Sequence, residues 1–214
     1  MPIQRFVVGP MGNNTYIVFD EASKEAAIVD PAKGTGPVLV WMKSHGLLPK
    51  YVLNTHGHSD HTFDNGLAMD GADAALMIGE PDEAMLEALA EGDGWLGKPE
   101  MPSPIADAYL EHEQELVLGT TAIRVLHTPG HTPGSSCFVY EDAVLTGDTL
   151  FQGSIGRTDF PGGSMPEIVK SIETHLYTLA PETRVLPGHM EVSTINDEKR
   201  HNPFVGDGAR INLS

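Results

Sequence analysis

Thr55-His56-Gly57-His58-Ser59-Asp60-His61 is the stretch on which the reading of this chain turns. It follows the apolar run Tyr51-Val52-Leu53 and sets three imidazoles and a carboxylate within six residues. His56 and His58 flank a glycine, so an extended or tightly turned backbone can aim both rings at one ion. Asp60 and His61 are placed to begin a helix and face a second ion, and a carboxylate is favoured at a helix start. With 10 histidines in 214 residues, His-x-His-x-Asp-His arises by chance in on the order of one chain in a thousand of this composition. The competing reading is a surface loop that happens to hold three histidines.

Three later segments repeat the same design. Val125-Leu126 leads through Thr128-Pro129-Gly130 to His131, Val144-Leu145 through Thr146-Gly147 to Asp148, and Val185-Leu186 through Pro187-Gly188 to His189. Each time an apolar strand ends, a glycine-containing turn follows and a metal-ligating side chain appears at once. Taken singly, His131, Asp148 or His189 reads as polar surface; the joint pattern is the evidence. Strands that end at one sheet edge gather their following residues into one cleft on rigid supports. Imidazole suits zinc and iron, and a carboxylate can bridge two cations. Seven donors exceed the needs of one tetrahedral zinc and suit two ions roughly 3.5–4 Å apart. His45, His112, His175 and His201 lie in helix-like or polar segments and read as surface residues. His127 adjoins the His131 turn and stays outside the ligand set.

Around these segments, Ile3 to Val8, Thr15 to Phe19 and Ala26 to Val29 read as strands, with Gly12-Asn13-Asn14 as a turn. Pro37 to His45 reads as a helix ended by Gly46, and Pro81 to Glu91 as an acidic helix. Residues 92–104, rich in Gly and Pro, read as a surface loop. Glu115 to Leu118, Ile123 to Leu126, Ser136 to Tyr140 and Ala143 to Leu145 are further strands. Ser164 to Leu179 is a helix, with Ser164 as N-cap and Glu167 three residues on; Val185-Leu186 is the last clear strand. Strands precede a helix in each half, which implies sheets covered by helices. The length suits one domain over residues 1–214, with a polar tail from about Gly206.

The formal net charge of −17 repels phosphate backbones and anionic membranes, so neither nucleic acid nor membrane is expected as a partner. No apolar run reaches transmembrane length, and the first residues lack a signal peptide's apolar core. Cys137 is the only cysteine, which excludes an internal disulfide; with no leader, a cytoplasmic location is the expectation. In its apolar stretch, Cys137 reads as a buried core residue rather than a nucleophile.

The four motifs together, Thr55-His56-Gly57-His58-Ser59-Asp60-His61, Pro129-Gly130-His131, Gly147-Asp148 and Pro187-Gly188-His189, resemble the metallo-β-lactamase superfamily, and within it a short glyoxalase II (hydroxyacylglutathione hydrolase). The resemblance runs from about residue 6 to residue 205 and implies an α+β fold, the αβ/βα four-layer sandwich. It implies that His56, His58 and His131 hold a first metal, that Asp60, His61 and His189 hold a second, and that Asp148 bridges them. The cofactors implied are two divalent ions, zinc foremost and iron or manganese as alternatives. The activity implied is hydrolysis of a small thioester or ester such as S-lactoylglutathione by a metal-bridged hydroxide, which Asp60 helps to orient. Two departures stand out: Asp159, in Gly156-Arg157-Thr158-Asp159-Phe160, and Glu191 occupy positions where glyoxalase II carries substrate-side tyrosines. Arg157 keeps a basic position and Lys199 is a further substrate-binding candidate, although Arg157 reads equally as half of a loop salt bridge. The stretch 156–160 also resembles persulfide dioxygenases of the same superfamily, which imply one iron on His56, His131 and Asp148.

Overall fold

The strands form where apolar side chains alternate or run continuously, and they assemble into two sheets. The first contains β1 (Ile3–Val8), β2 (Asn13–Phe19), β3 (Glu25–Val29), β4 (Leu48–Leu53), β5 (Ala75–Ile78) and β6 (Ala108–Tyr109), in that spatial order. β1 to β3 are antiparallel neighbours, and β3 to β6 run parallel. The second sheet contains β7 (Glu115–Leu118), β8 (Thr121–His127), β9 (Ser136–Tyr140), β10 (Ala143–Gly147), β13 (Arg184–Pro187) and β14 (Ser193–Thr194), in the order β14-β13-β10-β9-β8-β7. β11 (Leu150–Phe151) and β12 (Ser154–Ile155) form a separate small hairpin. The helices are α1 (Gly36–Ser44), α2 (Ser59–Thr62), α3 (Asn65–Met69), α4 (Glu83–Glu91), α5 (Met165–Ser171) and α6 (Ile195–His201). The structure is a computed structural model that describes residues 2–209.

Three apolar clusters define four layers. Val18, Val29 and Leu53 of the first sheet meet Leu118, Ile123, Phe138 and Leu186 of the second, which forms the core between the sheets. Ile17, Ile28 and Leu76 turn the other way, toward Val38 and Met42 of α1 and Leu86 of α4. Val144 and Val185 turn outward toward Ile168 of α5 and Ile195 of α6. Strands buried on both faces read as continuous apolar runs, as Val144-Leu145 and Val52-Leu53 do. The architecture is the αβ/βα sandwich of the α+β class that the resemblance implies.

Several boundaries differ from expectation. The first turn falls at residues 9–12, and Asn13 and Asn14 already belong to β2, paired with Val8 and Val7. Asn13 Nδ2 reaches Asp60 of the site described below, and Asn14 Nδ2 donates to the carbonyls of Pro187 and Met190, which is why polar residues sit buried at this strand start. β5 and β6 escape the sequence pattern because each is too short to show a period. The helix expected over 164–179 is α5 only to Ser171; residues 172–176 widen into a π turn. Its N-cap is as read, with Ser164 Oγ accepting from Glu167 N. α6 lies beyond the last expected strand, and its signal was present: Thr194 Oγ1 accepts from Asp197 N in the manner of an N-cap. The start of the expected polar tail is tied to α6, with Gly206 N donating to Asn202 O and Asp207 N to Lys199 O. Residues 210–214 of that tail lie outside the described residues. No helix among the described residues is long and apolar enough to cross a membrane.

Candidate metal centre

β8, β10 and β13 run in the same direction, since β9 is antiparallel to both β8 and β10 while β10 and β13 are parallel. Their ends therefore reach one edge of the second sheet. His131 follows β8 by four residues, Asp148 follows β10 directly, and His189 follows β13 by two. The end of β4 supplies His56 and His58, and α2 begins at Ser59, so Asp60 and His61 fall in its first turn as expected. Two turns need glycine. Gly147 has φ +48°, and a Cβ there would stand 2.3 Å from Thr55 Oγ1; Gly130 has φ +133°, and a Cβ there would stand 2.2 Å from Ile168 N.

The seven expected ligands converge. The donor atoms of His56, His58 and His131 lie within 4.8 Å of one another, and so do those of Asp60, His61 and His189. His58 Nδ1 is 2.9 Å from His131 Nε2, and Asp60 Oδ2 is 3.2 Å from His189 Nε2. Asp148 faces both trios: Oδ1 is 3.4 Å from His61 Nε2, and Oδ2 is 3.6 Å from His131 Nε2 and 3.8 Å from His189 Nε2. A third group, Asp30, His56 and His61, has the same closeness. The carboxylate of Asp30 is already occupied, however. Oδ1 accepts from Thr55 N, while Oδ2 accepts from Thr55 Oγ1 and stands 3.0 Å from His61 Nδ1.

These outer contacts set the tautomers. His61 Nδ1–H donates to Asp30, His131 Nδ1–H donates to the carbonyl of Arg157, and Thr55 Oγ1, itself a donor to Asp30, accepts from His56 Nδ1. In all three residues Nε2 is then the nitrogen left to face the common centre as a ligand, on His61 once an ion replaces its proton, and the Nδ1 partner is the second contact that metal-ligating histidines require. Asp30 sits at φ +50°, a strained setting for a non-glycine residue, and its three carboxylate contacts together with backbone bonds to Leu53, Thr15 and Ala32 hold it there.

Two buried polar atoms at the centre, His56 Nε2 and Asp148 Oδ1, have no hydrogen-bond partner. Such orphans cost on the order of 1–3 kcal/mol each unless something satisfies them. A cation in each trio satisfies both, so the residues present fit a pair of metal ions. The electrostatics agree. Burial and then the neighbouring imidazoles keep His56 well below its ordinary range, and burial pushes His58 down to about 4. These rings are neutral, as a ligand must be. Burial opposes charge on Asp60, yet His61 and His189 outweigh it and hold the carboxyl far below its usual value. Burial also opposes charge on His61, but Asp148, Asp60 and Asp30 prevail and push it up to about 10.

A cavity of about 480 Å³ opens over His58, Asp60, His131, Asp148 and His189. Trp95 and Phe160 stand on its wall. Arg157 also lines it, but its guanidinium is paired twice with Asp159, at 2.7 Å each, and lies 3.7 Å from the Phe160 ring centroid. Lys199 is not brought to this cavity. α6 buries Ile195 and Glu198 and leaves Lys199 exposed, with Nζ 6.0 Å from the Tyr177 ring centroid. Glu191 pairs with Arg5 at 2.8 Å. His127 Nε2–H reaches the carbonyl of Pro133 and braces the His131 turn without joining the ligands.

Residues the sequence reading missed are the outer ones. Asp30 follows the apolar β3 just as the four ligand segments follow theirs, so the same rule applied a fifth time finds it. Asn13 Nδ2 donates to Asp60 Oδ2 at 2.9 Å. Asp82, fully buried, accepts from Gly57 N, Thr132 Oγ1 and Gly134 N, and so ties the His56–His58 loop to the His131 loop. Nothing in the sequence around Asp82 marks that role.

The four-layer αβ/βα sandwich thus carries, at one edge, two trios of side chains that could each hold a metal ion, with the Asp148 carboxylate between them. The chain belongs to the metallo-β-lactamase superfamily, whose family model matches residues 8–189. A hydroxyacylglutathione hydrolase, GloC of Haemophilus influenzae, is 35% identical over 96% of this chain and 98% of its own length. A probable metallo-hydrolase of Bacillus subtilis is 34% identical with the same two coverages. Among solved structures, the BLEG-1 B3 metallo-β-lactamase superposes with TM-score 0.86 at 34% identity, covering 95% of this chain and 99% of that one. TTHA1623, solved in a di-iron-bound form, gives TM-score 0.82 at 32% identity over 94% and 99%.

Proposed function

We propose that this protein hydrolyses a small thioester or ester at a two-metal centre, with S-lactoylglutathione as the reference substrate. The observation that carries the reading is Asp148, whose two oxygens face donors of both trios while one of them has no partner of its own. His56, His58 and His131 hold one ion and Asp60, His61 and His189 the other; an all-imidazole and carboxylate donor set suits zinc or iron. When bound, the ions would polarise the substrate carbonyl and lower the pKa of a coordinated water toward about 7.

The chain's own residues do the rest. Asp60 stays ionised and, anchored by Asn13 Nδ2, orients the attacking water and accepts a hydrogen bond from it. The half-buried faces of His58, Asp148 and His189 leave the centre open to the cavity, as a catalytic rather than a closed structural site requires. No side-chain nucleophile is needed, and the one thiol, Cys137, is fully buried away from this chemistry. GloC supports the thioester form of the reading, since that relative is named for hydroxyacylglutathione hydrolysis.

The test is turnover of S-lactoylglutathione and of a simple thioester by the metal-loaded chain, with metal content measured on the same sample. Asp60→Ala and His58→Ala are each expected to lower kcat/KM by at least about a hundred-fold, the scale of losing a group that stabilises the transition state. Wild-type turnover that survives thorough chelation sinks the proposal. One iron per chain, with oxygen uptake on a persulfide and no thioester cleavage, transfers it to the dioxygenase reading.

A further inference from the structure

The cavity over the centre has a chemistry of its own. Its wall is apolar and aromatic: Met11, Trp95, Phe151, Ile155 and Phe160. Trp95 and Phe160 stack on each other at 5.7 Å with 29° between the rings, and His58 lies 5.5 Å from one and 5.7 Å from the other. Trp95 is nevertheless 54% exposed. It stands on the glycine-rich segment 92–97, which brings a large apolar side chain to the mouth of the site instead of into a core. An exposed indole beside a catalytic cavity is a surface for a flat apolar group.

Charge points the same way. Among the described residues, Arg157 is the one cationic side chain besides the histidines on this lining, and Asp159 takes its Nε and Nη2 N–H groups in a two-point ion pair. The stacked Phe160 covers the guanidinium face. Lys199 is absent from the lining, and Lys33 and Lys98 line a different cavity. Among the described residues, a tripeptide thiol with two carboxylates therefore meets no lysine or arginine here that is not already ion-paired, and the net charge of −17 repels it.

We infer that the group this cavity holds beyond the scissile bond is uncharged and aromatic or aliphatic, packed against Trp95 and Phe160, rather than an anionic peptide carrier. The inference rests on the hydrolytic reading for its chemistry and narrows its substrate class.

Two measurements separate the inference from that reading. Binding is read from indole fluorescence of the metal-loaded chain, titrated with 4-phenyl-2-butanone and with S-methylglutathione, neither of which is hydrolysed. The neutral ketone is expected to bind at least about ten-fold more tightly, roughly the effect of burying one or two methylene equivalents. In Trp95→Ala that preference falls to near unity, whereas Trp95→Phe keeps most of it. Asp159→Asn frees Arg157 and is expected to strengthen S-methylglutathione binding about ten-fold with little change for the ketone. Equal or tighter binding of S-methylglutathione by the wild type overturns the inference. So does a ketone preference that survives Trp95→Ala. Turnover is read in parallel: failure to cleave both S-phenylacetyl and S-lactoyl thioesters counts against the hydrolytic reading, while the binding preference still decides the inference.

Discussion

Asp82 shows how much a single residue outside the ligand set controls. Among the described residues its carboxylate has no ion-pair partner and accepts from Gly57 N, Thr132 Oγ1 and Gly134 N. Asp82→Ala leaves the buried Gly57 N and Gly134 N unpaired, while Thr132 Oγ1 keeps Ser135 Oγ, and is expected to cost about 3 kcal/mol of stability. Because the two loops it joins carry His56, His58 and His131, the same variant should weaken metal binding about 10- to 100-fold, as loss of outer-shell partners does. Thermal unfolding and competition with a metal indicator check both; unchanged metal affinity with lowered stability would reduce Asp82 to a packing role. Cys137 makes the opposite case. Burial pushes its thiol up to about 11, so it stays protonated across the neutral range. In the native chain it is expected to resist a disulfide reagent at about pH 8, and to react in full once denatured. Prompt labelling of the native chain would contradict the burial.

At the scale of elements, the site depends on how strands hand over to turns. Gly130 packs so tightly on α5 that any side chain meets Ile168 backbone at 2.2 Å, and its φ of +133° is costly for an L-residue. Gly130→Ala is expected to push α5 and the His131 turn apart, with a loss of about 3 kcal/mol or more and a first metal site that no longer fills. Denaturant unfolding and metal stoichiometry measure the two effects. A variant with both ions bound and native stability would show that the turn is more pliable than this packing implies. The π turn at 172–176 belongs to the same scale. It follows α5 directly, and its Ile172 and Leu176 both reach the outer cluster beneath the second sheet.

For the molecule as a whole, protons and metals compete for the same centre. His61 holds its proton more tightly in the folded metal-free chain, at about 10, than the ordinary 6.5 of an unfolded one. Its contribution to stability is therefore full below pH 6.5 and is lost as pH rises toward 10. His58 is lowered to about 4 from 6.5, so its contribution is full above 6.5 and is lost as pH falls toward 4. The metal-free chain is expected to be most stable near pH 6.5, the ordinary value from which both groups depart. Filling the site removes the alkaline loss, because the ion replaces the His61 proton, and adds about 4 kcal/mol at a thousand-fold excess over Kd. Thermal unfolding of chelated and reloaded protein between about pH 5 and 9 reads both curves. Coincident curves would show that no ion binds where the two trios converge.

The sequence alone determined which side chains could meet. His56, His58, Asp60, His61, His131, Asp148 and His189 each follow an apolar strand across a short turn, and short-range geometry of that kind is written locally. The two sheets were legible for the same reason, except where β5, β6 and β14 are too short for a period to show. Tertiary structure decided what stands behind and around those seven. Asp30 reaches His61 across 31 residues and Asp82 reaches Thr132 across 50. It also moved Lys199 off the cavity with the exposed face of α6, whereas Arg157 closes on Asp159, two residues on, as the loop salt bridge that the local sequence allows. Partner choice among buried polar groups depends on which surfaces the packed core brings together, and no spacing along the chain encodes that.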